Sequence, residues 1–257
     1  MTELRAFTSL QQITKLSPRE RARYYIPAEV REQIPIIDNG EPLITQPNIE
    51  NLGIVCRPFW QDPSTNQSVD EGEAFRQYIA SNPSFKLYIR QKTAQQLALA
   101  QSHLPNGWKI VLKAAYRPPQ VQQILFDEML KLAKNNNPKW SNQQLIEHTR
   151  KYVADPTLSA PAHTTGGAID IVVIDRNGNY VDMGSPINVD GPKSMTFCKN
   201  IPKQAQKNRI TLLEAMLKAE FANLVDEWWH FSYGDPTWAA FYCKKVTPYS
   251  KITQTSR

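Results

Sequence analysis

Cysteine is scarce in this chain: Cys56, Cys198 and Cys243 are the only three among 257 residues. They are widely separated, form no CxxC pair and lie close to no histidine, which argues against a disulfide framework and against a thiolate metal site. Their simplest reading is as buried or half-buried thiols. No apolar run approaches the roughly 18 residues of a membrane span, so no span is expected. The first thirty residues, MTELRAFTSLQQITKLSPRERARYYIPAEV, lack an apolar h-region and a small-residue cleavage pattern. No signal peptide is expected, therefore, and a reducing cytoplasm is the expected setting. Basic residues are in excess, with a net charge of +6 and a pI near 9.1, yet no run of about five or six gathers them. That scatter tolerates anionic partners without pointing to one, and nucleic acid is not an expected partner. Repeats, low-complexity tracts and linker-like stretches are missing too.

What remains is an ordinary globular composition, 41% hydrophobic and 21% charged, enough for a substantial core. With nothing to divide the chain, a single domain over residues 1–257 is expected, its first 70 residues an irregular wrap and its core over 75–240. The wrap reads with one short helix near Pro18–Arg23 and a strand near Asn51–Cys56. Leu87, Ala94, Leu97, Ala98 and Gln101 keep a helical spacing that predicts a helix from Ser84 to Leu104, stopped by Pro105-Asn106-Gly107. Trp108–Ala115 alternates and predicts a strand. Tyr116-Arg117-Pro118-Pro119 ends it, and the prolines suit the first turn of a helix carrying Val121, Ile124, Leu125, Met129 and Leu132 on one side. Ser141 reads as the N-cap of a helix to about Tyr152. A strand over Ala168–Asp175 precedes the hairpin turn Arg176-Asn177-Gly178-Asn179 and a return strand, Tyr180–Met183. A helix over Ala205–Phe221, a strand over Trp229–Tyr233 and a closing helix over Pro236–Tyr242 complete the order. Helices interrupting hairpin-linked strands predict an α+β fold with a mainly antiparallel central sheet flanked by helices.

Only four histidines occur, and two stand in segments that combine into a hydrolytic metal site. The first segment is His163-Thr164-Thr165-Gly166-Gly167-Ala168-Ile169-Asp170; the second is Glu227-Trp228-Trp229-His230. Two imidazoles and a carboxylate leave a fourth tetrahedral zinc position open, which distinguishes a catalytic site from a structural one. Glu227 would then work on the water in that position. Taken singly, each residue has a plainer reading: Asp170 as a satisfied structural carboxylate, His163 as a loop histidine, His230 as a core histidine. Asp170 lies in an apolar strand, where an acid is costly unless paired or bound to a metal. Gly166-Gly167 lets the loop turn tightly enough for His163 to reach the same ion. Glu227 and His230, three apart, face opposite sides of a straight strand, so Glu227 must sit at a bend where that strand begins.

The arrangement resembles the D-alanyl-D-alanine dipeptidases of the vancomycin-resistance type, within the wider zinc D,D-peptidases. Those proteins carry Ser-x-His-x-x-Gly-x-Ala-x-Asp and, some way on, Glu-x-Trp-His. Here His163, Gly166, Ala168 and Asp170 match the first, and Glu227, Trp229 and His230 the second. Tyr88-Ile89-Arg90, Ala115-Tyr116-Arg117-Pro118 and Asp182-Met183-Gly184 are similar as well. The resemblance implies Zn2+ held by His163, Asp170 and His230 on one face of the sheet, Glu227 as general base, and Arg117 facing the developing oxyanion. It implies a metallopeptidase core over 75–240 that hydrolyses D-Ala-D-Ala or a related small dipeptide, a cell-wall building block. Two alternatives accompany it: a peptidoglycan D,D-carboxypeptidase or endopeptidase of the same family, and a non-catalytic zinc-containing binding protein, since hedgehog signalling domains are similar in fold. One position departs: the family's serine two residues before the first histidine is Pro161, and the nearest serine is Ser159. That change puts substrate anchoring there in question and leaves the metal set intact.

Overall fold

The computed structural model describes residues 5–59, 78–150, 152–188 and 191–253. Residues 60–70 of the expected wrap and 75–77 of the expected core fall outside that set. The wrap is more ordered than its composition suggests. It holds short helices α1 (Leu10–Thr14), α2 (Pro18–Arg21), α3 (Ala28–Arg31) and α4 (Gln46–Glu50), with strands β1 (Leu43–Thr45) and β2 (Val55–Cys56). Helix α2 is set by a capping box, Ser17 with Glu20, and by Pro18 in its first turn.

Beyond the wrap come β3 (Tyr88–Arg90), α5 (Gln91–Ser102), β4 (Lys109–Ala114), α6 (Pro119–Asn136) and α7 (Asn142–Thr149). Then follow β5 (Ala168–Ile174), α8 (Lys203–Lys218), β6 (Ala222–Leu224), β7 (Glu227–Ser232) and α9 (Pro236–Phe241). The main sheet has five strands in the order β2-β4-β5-β7-β6. The expected sheet was mainly antiparallel; this one is mixed, because β2 enters from the wrap and pairs parallel with β4. All seven residues of β5 are buried, which is why it reads as a nearly unbroken apolar run. One continuous core links Phe7, Ile13 and Ile49 of the wrap to Ile171, Met216, Trp229 and Phe241. No helix among the described residues is long and apolar enough to cross a membrane.

Several boundaries differ from the sequence reading, each for a reason outside local periodicity. The helix expected from Ser84 begins only at Gln91, because β3 pairs antiparallel with β1 and the Arg90 N–H donates to Gly166 O. The return strand expected over Tyr180–Met183 shrinks to a bridge between Ile174 and Tyr180. Asp182 Oδ1 accepts from the Gly184 N–H and Gly184 turns at φ 79, leading the chain away from the sheet. Helix α8 stops at Lys218, and Glu220 at φ 58 reverses the chain into β6, a strand the pattern did not predict. On α6, Val121, Ile124 and Leu125 pack with Ala114, but the stripe reaches solvent at Leu132, which is 48% exposed. The capping box at Ser141 and the N-cap of Asp235 on α9 match the expected helix starts.

The end of the sheet nearest Gly167 is tightly closed. A Cβ at Gly167 would collide with the Tyr233 carbonyl oxygen and come 2.9 Å from Tyr249 Cδ2. The last described stretch seals this corner, with the Ile252 N–H donating to Thr164 O and the Tyr116 hydroxyl to Ile252 O. Gly167→Ala is therefore expected to lower unfolding free energy by about 1–3 kcal/mol, the usual cost of overpacking. Denaturant titration of metal-free protein measures it, and unchanged stability would contradict the close approach.

Candidate active site

Strand register brings the central pair together. Asp170 on β5 lies directly opposite His230 on β7, so two residues 60 apart in sequence are cross-strand neighbours. His230 Nδ1 is 3.1 Å from Asp170 Oδ1. On the other flank of β5, Ala114 is the partner of Asp170, just past a register shift in β4. The next residue, Ala115, offers its carbonyl to His163 Nδ1 at 2.8 Å.

His163 rides on a single 3-10 turn, Ala162–Thr165, closed by Gly166 at φ 73. That turn is tied down by Arg90: its Nε donates to Thr165 O, and its other nitrogens to Glu41 O and Asp38 Oδ2. The Arg117 N–H donates to His163 O at 3.0 Å. His163 Nε2 then points at Asp170 Oδ2, 3.3 Å away, and the two imidazoles stand edge to face with ring centres 4.9 Å apart. The ligating atoms of His163, Asp170 and His230 all lie within 4.8 Å of one another. All three side chains are buried, at 8%, 5% and 7% exposure.

The donor set fits a divalent cation. A carbonyl only accepts, so His163 Nδ1 carries the hydrogen and Nε2 presents its lone pair to the Asp170 carboxylate. Burial pulls the His163 pKa below its ordinary value, helped by the nearby Arg117 and His230 charges and opposed by Asp170. A neutral ring thus sets one lone pair against another, an arrangement that a shared cation relieves. Burial works against the Asp170 charge, but the hydrogen bond and positive charge of His230 outweigh it and hold its pKa well below the carboxylate range. For His230 burial also disfavours charge, yet its hydrogen bond and attraction to Asp170, with Glu227 behind, raise its pKa. Two nitrogens and one carboxylate oxygen make a zinc-type set with a corner left over.

Glu227 begins β7, where a register irregularity opposite Asn223 and Leu224 supplies the bend the spacing demands. Its Oε2 lies 3.7 Å from His230 Nδ1. Burial, joined by the Asp226 and Asp170 charges and opposed by His230 and Arg117, pushes its pKa up to about 8. The side chain still keeps 31% of its surface open. Arg117 lies within electrostatic reach of both His163 and Glu227. Its Nη1 donates to Gln122 Oε1 at 3.0 Å, and Gln122 is fixed in turn by Ala154 O.

His163, Asp170 and His230 thus converge, with Glu227 beside His230, and Arg117 is tied to His163 through its main-chain N–H. Others were not visible in the sequence. The Ala115 carbonyl has no side-chain signature, and Gln122 read as an ordinary first-turn residue of α6. Asp226 and Tyr25, both within electrostatic reach of Glu227, belong to segments with no motif. Pro161 brings no hydroxyl to the position of the family serine, and the Ser159 hydroxyl is spent on Glu32 Oε2 at 2.7 Å.

The pattern of a peptidase family described as D-ala-D-ala dipeptidase matches residues 75–249. A D-alanyl-D-alanine dipeptidase of Synechocystis sp. is 30% identical over 246 residues, covering 87% of this chain and 94% of that protein. A D-alanyl-D-alanine dipeptidase of Escherichia coli is 30% identical over 138 residues, 54% of this chain and 60% of that protein. Among solved structures, VanYB in complex with D-alanine-D-alanine aligns at 16% identity with a TM-score of 0.37, covering 62% of this chain and 80% of that one. The match runs through every segment that builds the site and spans well over half of the sequence, so the chain belongs to the D-ala-D-ala dipeptidase family of peptidases.

Proposed function

We propose that this protein is a zinc-dependent dipeptidase that hydrolyses D-Ala-D-Ala or a closely related small dipeptide, as a single catalytic domain in the cytoplasm. The observation that carries the reading is the convergence of His163 Nε2, Asp170 and His230 with Glu227 Oε2 beside them. The relatives' names support the substrate class. Three free cysteines, Cys56, Cys198 and Cys243, suit a reducing setting.

Zinc held by His163, Asp170 and His230 supplies a water of lowered pKa and an electrophile for the scissile carbonyl. Glu227 takes a proton from the attacking water at Oε2 and hands it to the departing amine. Its raised pKa makes it a stronger proton acceptor than an exposed glutamate, and the positive charge of a cation held by the three neighbouring residues would favour the ionised form that accepts the proton. Arg117 faces the negative charge that grows on the carbonyl oxygen; Gln122 holds the guanidinium in place, so little reorganisation is needed as that charge appears. The Ala115 carbonyl keeps His163 in the tautomer that leaves Nε2 free to bind.

Incubating purified protein with D-Ala-D-Ala should release free D-Ala, with loss of turnover on chelation and recovery on adding zinc. Cleavage that ignores the chelator, or no cleavage of the dipeptide, would overturn the proposal. Glu227→Gln should lower kcat by about 10²–10⁴-fold, and Arg117→Ala by about 10²–10³-fold. Both variants should keep their zinc, measured by metal analysis.

His163→Ala and Asp170→Ala should lose bound zinc; wild-type metal content in either would remove that residue from the ligand set. Zinc uptake should also depend on pH. His230 holds its proton above the ordinary histidine value of 6.5 in the metal-free protein, and zinc must displace it. Apparent affinity should therefore rise as pH climbs above that value, with proton release on binding. Calorimetry in two buffers of different ionisation enthalpy reads the proton count, and net proton uptake would contradict the assignment.

A further inference from the structure

Glu227 owes its position to a loop as much as to its strand. The ladder between β5 and β7 reaches only to Asp170 and His230, so Glu227 and Trp228 lie beyond it. Two backbone hydrogen bonds from the loop between β5 and α8 take over there. The Trp228 N–H donates to Ser194 O and the Thr196 N–H to Val225 O, both at 2.9 Å. They bracket Glu227 from either side, and the Thr196 hydroxyl reaches Leu224 O at 3.5 Å. The same loop holds the Trp228 side chain, whose Nε1–H donates to the Ser185 hydroxyl at 3.1 Å.

One side chain grips that loop at several points. Arg209 on α8 is only 1% exposed. Its Nε donates to Met183 O at 2.6 Å, and its terminal nitrogens donate to Met195 O at 2.6 Å, Lys193 O at 2.8 Å and Ser185 Oγ at 3.0 Å. The Lys193 and Met195 carbonyls flank Ser194, whose own carbonyl takes the Trp228 N–H. The guanidinium also lies over the Trp228 ring, 5.5 Å from its centre. Ser185 Oγ thus accepts from both Arg209 and Trp228, and it donates to Lys193 O. A buried cation whose acceptors are three carbonyls and a hydroxyl is costly to keep. What it supplies in return is a planar fork that fixes four acceptors at once.

We infer that Arg209 is a positioning residue for the base: through Ser185 and the carbonyls of Lys193 and Met195 it holds the loop that sets Trp228, and with it the direction in which Glu227 presents its carboxylate. The inference rests on the dipeptidase reading and adds what aims the base. Glu227 Oε2 stands 3.7 Å from His230 Nδ1, and proton transfer from an attacking water tolerates little displacement, about 1 Å costing up to roughly a hundredfold in rate. Trp228 is the next residue, so a slackened loop turns the Glu227 backbone directly. The three metal-facing side chains are fixed by other contacts, among them the Ala115 carbonyl and the pairing of Asp170 with His230.

The test uses zinc-loaded protein with D-Ala-D-Ala, metal analysis and thermal melts. Ser185→Ala removes the hydroxyl shared by Arg209 and Trp228 and should lower kcat by about tenfold, with KM, zinc content and melting temperature near wild type. Ser185→Thr, which restores the hydroxyl, should recover most of the loss. In Glu227→Gln, where the base to be aimed is gone, adding Ser185→Ala should cost little further. Arg209→Lys keeps the charge but cannot span the four acceptors, and it should lower kcat by about tenfold or more; if it does not fold, Ser185→Ala alone decides. Wild-type kcat in Ser185→Ala, a loss carried by KM or by lost zinc, or an equal fall with and without Glu227 overturns the inference alone. No turnover by wild type overturns the dipeptidase reading and this inference with it.

Discussion

A carboxylate placed in the middle of an apolar, fully buried strand is untenable unless something positive meets it. In this protein that carboxylate is Asp170, and much of the site can be understood as the means of meeting it. Strand pairing brings His230 opposite on one side. The turn closed by Gly166 swings His163 in from the other, and the Ala115 carbonyl fixes which nitrogen it presents. Burial makes the arrangement sensitive: the low-dielectric setting that penalises an unpaired Asp170 also strengthens its attraction to whatever cation the three residues share. The same burial lifts Glu227, one strand away, whereas at Asp170 the charge and hydrogen bond of His230 overcome it.

The site was more legible in the sequence than the fold around it. His163, Asp170, Glu227 and His230 announce themselves because their residue types are few and their spacing carries a chemical meaning. Even the bend at Glu227 followed from requiring that two residues three apart on a strand face one ion. The α+β class and most helices followed from periodicity and from signals such as Ser141. What stayed hidden depends on partners far away in the chain. Tyr88–Arg90 continues a helical pattern, yet Leu43–Thr45 draws it into a strand. β2 looks like any short strand, and only its neighbour makes it parallel. Ala115 and Gln122 gain their importance from where the fold sets them, and no residue type signals that in advance.

The substrate-facing side differs in character from the metal-facing side. The three convergent side chains follow the family pattern, whereas Pro161 replaces a hydroxyl and Ser159 is turned outward to Glu32. Recognition of a dipeptide here must draw on other groups. Arg90 links the two sides. Bonded to the His163 turn, to Glu41 and to Asp38, it couples the placement of the imidazole to the seating of the wrap.

The closure of the Gly167 corner by the stretch around Tyr249 and Ile252 has a consequence for biosynthesis. As a nascent chain leaves the ribosome, His163 and Asp170 emerge long before His230, and Ile252 follows later still. The Thr164 carbonyl and the Tyr116 hydroxyl wait for that last stretch before the turn bearing His163 is sealed. The order of translation therefore delays the sealing of that turn until Ile252 has emerged, and a chain cut short before Tyr249 would leave that turn open.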